Sequence, residues 1–521
     1  MEAGNIYEAI SDLGKQAGLS ADEISTALNR VSGAVASLAS ARGHDIGASG
    51  NRFFEGLGTN MSDNPMLVAW ALKVAARTSQ QVFSSFVDNF VLGFVTDRKT
   101  TVEALVEELG YHPPCTLIIN PTMRCNLRCK GCYAWSYDQH SDMQRELLEK
   151  VLDEARALGI NFITVTGGEP FLYPEIEEVF AKYSDMTFMV YTNAQFIDEP
   201  RAGRLAELGN VWPAISVEGF EKETDERRGK GVYKKIMSAM RHLADEGVMF
   251  GISTVPNRKN TELLASDDFL DFYIDKGALF GWMFTYMPVG RDPDPSLMAT
   301  PQQRELLRKK SLDWRRNKAF FMADFWNDGP LCGGCMSGSR FAFVSNEGWV
   351  QPCVFVHFAT HNVAEHSLRE IFDSEFFSAI RGRQPYHPNL LRPCKIIDHP
   401  HVLKELVEQC GARPTYPGAD SIIKNPAIRE HLARYSSEHA AIADRAWASE
   451  DYRSGHRVQV PFYGKVDLYE IYDWRMKKAH RNVGSNLPEH SENDVIRADS
   501  IEAERESEGK YGTRNKSESK A

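Results

Sequence analysis

Seven of the nine cysteines stand in two groups whose spacing suits metal chemistry. The first group is Cys125, Cys129 and Cys132, a Cys-x3-Cys-x2-Cys pattern. It follows directly on a short apolar stretch, residues 116–119, and so reads as a loop leaving a strand end. Three thiolates in one loop suit an iron–sulfur cube, because soft sulfur matches the metal and each cysteine can hold one iron. Three ligands leave one iron open, and an open position separates a catalytic metal site from a closed structural one. Gly131 lets the loop wrap, while Arg124, Arg128 and Lys130 can offset the charge of a thiolate cluster. A structural zinc would draw four ligands, commonly from two Cys-x2-Cys pairs, and this loop holds no fourth cysteine.

Chemically apt residues recur where later apolar stretches end. The second stretch runs into Thr166-Gly167-Gly168-Glu169-Pro170, where glycines let backbone approach a ligand and a carboxylate can accept from a cationic amine. The third ends Tyr191-Thr192-Asn193-Ala194, and the fourth ends Ser216-Val217-Glu218-Gly219, followed by Asp225-Glu226-Arg227-Arg228-Gly229. Together with Tyr133 beside the last cysteine of the loop, these residues resemble the radical SAM superfamily over about residues 115–400. The resemblance implies a [4Fe-4S] cluster on Cys125, Cys129 and Cys132 whose open iron is chelated by S-adenosyl-L-methionine (SAM). It implies reductive cleavage of SAM to a 5'-deoxyadenosyl radical that abstracts hydrogen from substrate. SAM contacts are then expected from Tyr133, from Gly167, Gly168, Glu169 and Pro170, with Glu169 toward the amino group, and from Thr192, Asn193, Ser216, Glu218 and Arg228. Ser216 and Arg228 suit the SAM carboxylate, since arginine can hold it bidentately; an ordinary ion pair is the alternative for Arg228. Two positions depart from the family pattern, Ala194 where relatives usually have Gly and Glu218 where they commonly have Asp. They bear on the ribose and carboxylate contacts.

The second group is Cys332-Gly333-Gly334-Cys335, then Cys353 after Gly348, then Cys394. The Cys335-x12-Gly348-x4-Cys353 spacing is similar to the opening of the auxiliary-cluster domains called SPASM or twitch. Residues 341–344 and 349–350 are expected to be the strands of a hairpin turning at Asn346-Glu347-Gly348. Cys332, Cys335, Cys353 and Cys394 can close one second [4Fe-4S] cluster, with a structural zinc as the rival, because Cys-x2-Cys spacing suits both. Cys115 and Cys410 read as small buried hydrophobes. Arg291, Asp324 and Asp328 are candidates for contact with substrate or cofactor, though structural turns suit them better. His357 reads as a satisfied core histidine.

Something must hold these loops together. Apolar stretches at 116–119, 162–165, 187–191, 214–217, 250–255 and 282–286 alternate with helix-like segments such as 143–158, which predicts an α/β fold with a partial (β/α)6 TIM-like barrel whose function sits at the carboxyl ends of its strands. The expected organisation is an N-terminal helical region (1–110), the barrel (111–300), a small cluster-binding domain (301–400), a helical extension (401–483) and a disordered polar tail (484–521). In the first region Ser20 caps a helix with Ile24, Leu28 and Val31 on one face. Further on, Phe83, Phe86, Phe90 and Phe94 form an aromatic face suited to core packing, a membrane surface or an apolar substrate.

At 521 residues the chain exceeds one hydrophobic core, and its net charge of −11 argues against nucleic acid as a partner. With 25% charged residues and no secretory signal, a cytoplasmic location is expected, with peripheral contact at the inner face of a membrane as the alternative. The expected function is hydrogen abstraction from an unidentified substrate, with lipid acyl chains and radical carbon–carbon coupling first, peptide maturation second, and a non-catalytic iron–sulfur or zinc protein as the reading from another class. A small-molecule, lipid or peptide substrate and an electron donor such as flavodoxin or ferredoxin complete the expected partners.

Overall fold

The computed structural model describes residues 11–41, 65–134, 140–449, 458–460 and 464–466. Its centre is one nine-stranded sheet. Strands β1 (Thr116–Thr122), β2 (Phe162–Gly167), β3 (Thr187–Thr192), β4 (Val211–Ser216), β5 (Gly251–Thr254), β6 (Phe280–Met283) and β7 (Phe321–Asp324) lie side by side in sequence order, all parallel. Helices between them, such as Arg145–Ala157 with Leu148, Val151, Leu152 and Ala155 buried, cover the outer face. This is the expected α/β partial barrel.

The sheet is larger than six strands. A seventh, β7, follows the long polar helix Pro301–Asn317, and β8 (Phe341–Val344) pairs parallel with the free side of β1. β9 (Val350–Gln351) returns antiparallel on β8, making the expected hairpin with its turn at Asn346-Glu347-Gly348. The sheet therefore runs across the expected division at residue 300. Ala342, Val344 and Val350 share one core with the barrel strands.

At the amino-terminal end, the helix Ala21–Ala41 starts with a capping box in which Ser20 Oγ accepts from Glu23 N at 3.3 Å and Glu23 Oε2 from Ser20 N at 2.8 Å. The helix Pro65–Arg77 and the segment Gln80–Ser85, which runs on as a π-helix over Phe86–Asp97, carry the aromatic face. Phe83 and Phe86 are buried, and the Phe90 ring lies 5.2 Å from Trp212 and 5.6 Å from Phe162. Trp212 and Phe162 open β4 and β2, so this face closes the amino-terminal end of the barrel. Phe83 and Phe86 are thus covered by protein, while Val87, Phe90 and Val91 are half-buried; the side chain of Phe94 lies outside the described residues. Among the described residues no helix is long and apolar enough to cross a membrane. Helices Pro400–Gln409, Ser421–Lys424 and Pro426–Ser449 follow the cysteine-rich region, and the expected tail (484–521) lies outside the described residues.

Candidate active site

Cys125, Cys129 and Cys132 line one cavity of about 240 Å3 at the carboxyl ends of the strands, together with Tyr133, Gly167, Gly168, Thr192, Asn193, Ser216 and Arg228. The barrel thus gathers residues from four strand ends that are up to about a hundred positions apart in sequence. Aromatic side chains line the same cavity, Tyr191 from β3, Trp282 from β6 and Phe284 just beyond it.

The two glycines serve a close approach between chain segments. A Cβ on Gly168 would fall 2.2 Å from Arg124 O and 2.5 Å from Met123 O, so only glycine lets the end of β2 lie against the cysteine loop. Gly168 N donates to Thr122 O at 2.9 Å and Glu169 N to Arg124 O at 2.8 Å. Gly290 does the same from the other side, where a Cβ would meet Tyr133 O at 2.4 Å and Cys132 O at 2.6 Å. Arg291 follows it. Its guanidinium donates to Cys129 O and, at 3.1 Å, to Arg128 O, while its backbone N donates to Cys132 O at 3.1 Å. Arg291, a candidate for substrate or cofactor contact, is a clamp on the backbone of the cysteine loop.

Glu169, expected toward the SAM amino group, is held by protein donors. The side chain is fully buried, with Oε1 accepting from Phe171 N (3.2 Å) and Thr192 Oγ1 (2.8 Å) and Oε2 from Asn193 N (2.7 Å). Burial pushes its carboxyl up to about 7 although these donors pull the other way. Its carboxylate is engaged by protein donors and ties the end of β2 to the end of β3. Asn193, so held, donates from Nδ2 to Asn126 Oδ1 at 2.8 Å and reaches Cys125 Sγ at 3.9 Å. Ala194, where relatives usually have Gly, sits at φ +62°, the left-handed region that glycine adopts at no cost. Tyr133 OH lies 2.9 Å from Thr166 Oγ1 and joins the loop to β2. Pro170 opens the single turn Pro170–Leu172.

The cations near the thiols are not those the loop sequence suggested. Arg124 pairs with Asp142 (2.7 Å) and Leu172 O (2.6 Å), and Lys130 is exposed, 4.0 Å from Glu226. Buried Glu218 instead holds Arg227 and Arg228, with Oε1 2.6 Å from Arg228 Nη2, while Glu218 Oε2 is buried without a donor. Both arginines line the cavity and their charge pulls the Cys132 thiol down, against the larger effect of burial, which pushes it up. Burial likewise pushes Cys125 up to about 12, so ionisation of these thiols calls for a coordinating cation.

Cys332, Cys335, Cys353 and Cys394 line a second cavity of about 50 Å3. Phe325, Met336, Phe341 and Phe355 face both cavities, an apolar partition between them. Burial pushes Cys353 up to about 11 and Cys394 up to about 12. Among the described residues no three His, Cys, Asp or Glu side chains already converge as on a single metal ion.

Residues 119–270 match the Radical SAM superfamily and residues 335–396 match an iron–sulfur cluster-binding domain named SPASM. The chain is a radical SAM enzyme with a C-terminal iron–sulfur cluster-binding domain. It is 26% identical to the sporulation killing factor maturation protein SkfB of Bacillus subtilis over 50% of this chain and 66% of that one. It is 25% identical to the AdoMet-dependent heme synthase of Oleidesulfovibrio alaskensis (53% and 79%) and 26% identical to the PqqA peptide cyclase of Methylorubrum extorquens strain PA1 (55% and 78%). The crystal structure of Streptococcus suis SuiB bound to S-adenosylmethionine aligns at a TM-score of 0.48 and 18% identity, covering 63% of this chain and 87% of that one. Radical SAM domains take a [4Fe-4S] cluster and SAM, and the C-terminal domain takes auxiliary iron–sulfur. The donor sets fit both groups: three half-buried thiols and the paired Arg227 and Arg228 on one cavity, with an orphaned Glu218 oxygen behind those arginines, and four thiols around the other.

The remaining expected residues are structural. Asp324 is buried and accepts from Asn327 Nδ2 at 2.7 Å; Asp328 pairs with Arg315 at 2.6 Å. His357 accepts or shares a proton with Tyr416 OH at 2.6 Å and faces Val354 O at 2.8 Å. Sequence reading missed Arg227, Gly290 and Asp142. The first two had a visible signal, Arg227 beside Arg228 and Gly290-Arg291 just beyond a strand end.

Proposed function

We propose that this radical SAM enzyme abstracts hydrogen from a peptide substrate during peptide maturation, with the first cluster on Cys125, Cys129 and Cys132 and the auxiliary cluster on Cys332, Cys335, Cys353 and Cys394. The observation that carries this reading is the convergence of the three loop cysteines with the ends of β2, β3 and β4 on one cavity that aromatic side chains also line. When bound, the cluster and SAM supply one-electron chemistry that cleaves SAM and removes a substrate hydrogen. The chain's own residues orient and shield. Glu169 holds Asn193 and Thr192 in place, Arg228 and Ser216 receive the SAM carboxylate, and Glu218 Oε2 offers an acceptor to a hydroxyl. Tyr191, Trp282 and Phe284 exclude water and seat an apolar side chain of the peptide. A low-potential donor such as flavodoxin or ferredoxin supplies the electron.

Peptide is favoured over lipid because a maturation protein and a peptide cyclase match half or more of this chain, and because Phe90 packs against the barrel's own Trp212 and Phe162. The test is anaerobic reconstitution with SAM and a chemical reductant, followed by mass spectrometry of peptides and lipids from cells with and without the gene. Expected are 5'-deoxyadenosine, methionine and a peptide changed in mass; a change confined to lipids or tetrapyrroles overturns the substrate class. Turnover that persists when Cys125, Cys129 and Cys132 are all alanine overturns the assignment of the cluster. Iron should be roughly eight per chain, falling to about half in that triple variant.

A further inference from the structure

Beside the four cysteines of the smaller cavity stands a buried cation that the proposed chemistry does not use. Lys395, the residue after Cys394, is 1% exposed and lines the same cavity of about 50 Å3. Its ammonium donates to Ser337 Oγ and lies 5.9 Å from the centre of the Tyr386 ring. Ser337 in turn donates to Pro352 O at 2.8 Å, so the cation is tethered to the segments that carry Cys335 and Cys353. Among the described residues no carboxylate pairs with it. The nearest acid along the chain, Asp398, is already taken, with Oδ1 2.6 Å and Oδ2 3.2 Å from the Arg304 guanidinium and Oδ2 2.9 Å from Cys394 N. A buried ammonium without a counter-charge is strongly unfavourable, and its remaining N–H donors need acceptors. Among the described residues the ionisable groups around it are the Tyr386 phenol and the thiols of Cys335, Cys353 and Cys394, and of these the thiols are the groups that ionise on binding a metal cluster.

We infer that Lys395 is the built-in counter-ion of the auxiliary cluster and sets its reduction potential. This rests on the reading of those four cysteines as cluster ligands. One-electron reduction adds a single negative charge to the cluster, with no bond made or broken and no proton moved, the electron coming from a low-potential one-electron donor. A fixed positive charge favours the more negative, reduced form, so Lys395 raises the potential. Lys395 is thus a positioning residue acting through charge.

The experiment uses the full chain with Cys125, Cys129 and Cys132 changed to alanine, which leaves the auxiliary cluster as the spectroscopic signal. Iron is counted, and the midpoint potential is read by electron paramagnetic resonance during titration with dithionite, for Lys395 and for Lys395→Met, Lys395→Gln and Lys395→Arg. Expected is a midpoint shifted to more negative values in the two neutral variants at unchanged iron, with Lys395→Arg close to the parent. Cluster loss from both neutral variants but not from Lys395→Arg supports the same charge requirement. An unchanged midpoint in the neutral variants, or cluster loss from all three variants alike, overturns the inference. A parent protein that holds zinc and no iron overturns the underlying reading of the cysteines instead.

Discussion

Glu169 shows how a residue whose type suits a ligand can also be held by the protein around it. A glutamate at a strand end in a SAM enzyme suggests a contact with the ligand's amine, yet three protein donors surround this one. In Glu169→Gln one end of the amide must turn an N–H toward Phe171 N or Asn193 N, leaving donors face to face at a cost of about 1–3 kcal/mol. We expect a lower unfolding midpoint and weaker SAM binding, with iron content unchanged, checked by thermal unfolding, calorimetric titration with SAM and iron analysis. Unchanged stability alongside weaker SAM binding would return Glu169 to direct contact. Arg291 makes a parallel case. Arg291→Met removes the clamp on Cys129 O and Arg128 O, so the first cluster should assemble less completely while the auxiliary cluster persists, read as iron falling from about eight toward four per chain.

At the scale of elements, the cysteine loop is shaped by the segments pressed against it. Gly168 follows β2 because the backbone of Met123 and Arg124 occupies the space a side chain would need, and the stretch after β6 presses Gly290 against the carbonyls of Cys132 and Tyr133. Gly168→Ala places a methyl group 2.2 Å from Arg124 O, a contact only backbone displacement can relieve. The expected outcome is loss of the first cluster's signal with the auxiliary signal retained, checked by electron paramagnetic resonance. The amino-terminal helices are equally part of the barrel. Phe86 is buried and its ring lies 5.8 Å from that of Trp212. Phe86→Ala should destabilise the whole chain by about 3–5 kcal/mol, as for a core phenylalanine, without altering its binding to anionic vesicles. Denaturant unfolding and vesicle flotation measure the two effects.

Across the whole molecule, buried neutral histidines give a pH dependence. Burial pulls His357 and His439 down to about 4. A base whose folded pKa lies below its unfolded value of about 6.5 binds its proton more readily when unfolded, so stability is fully present above about pH 6.5 and is lost as pH falls toward 4. Each histidine contributes a slope of about 1.4 kcal/mol per pH unit in that window. Urea unfolding between pH 7 and pH 4.5 should show the loss, and His357→Gln should flatten part of it. A slope unchanged in His357→Gln would mean that other groups carry the acid sensitivity.

The cysteine spacing, the glycine-glycine-glutamate-proline run and the alternation of apolar stretches were enough to reach the barrel, the three-cysteine loop at its strand ends and the second cysteine group, because each depends on a local period or a short spacing along the chain. The hairpin over β8 and β9 was legible for the same reason, its turn being marked by Asn346-Glu347-Gly348. What a side chain faces across the fold was decided only in three dimensions. β7 is four residues long after a polar helix and has no signal apart from its pairing with β6. β8 joins β1 more than two hundred residues away, and no local pattern specifies that partner. The phenylalanine face carries the same amphipathic period whether it meets lipid or protein, and only the fold sets Phe90 against the rings of Trp212 and Phe162. Arg124 and Arg228 are alike in sequence as cations near a motif; Asp142 engages the first, and Glu218 turns the second toward the thiols, since charge pairing depends on distance through space.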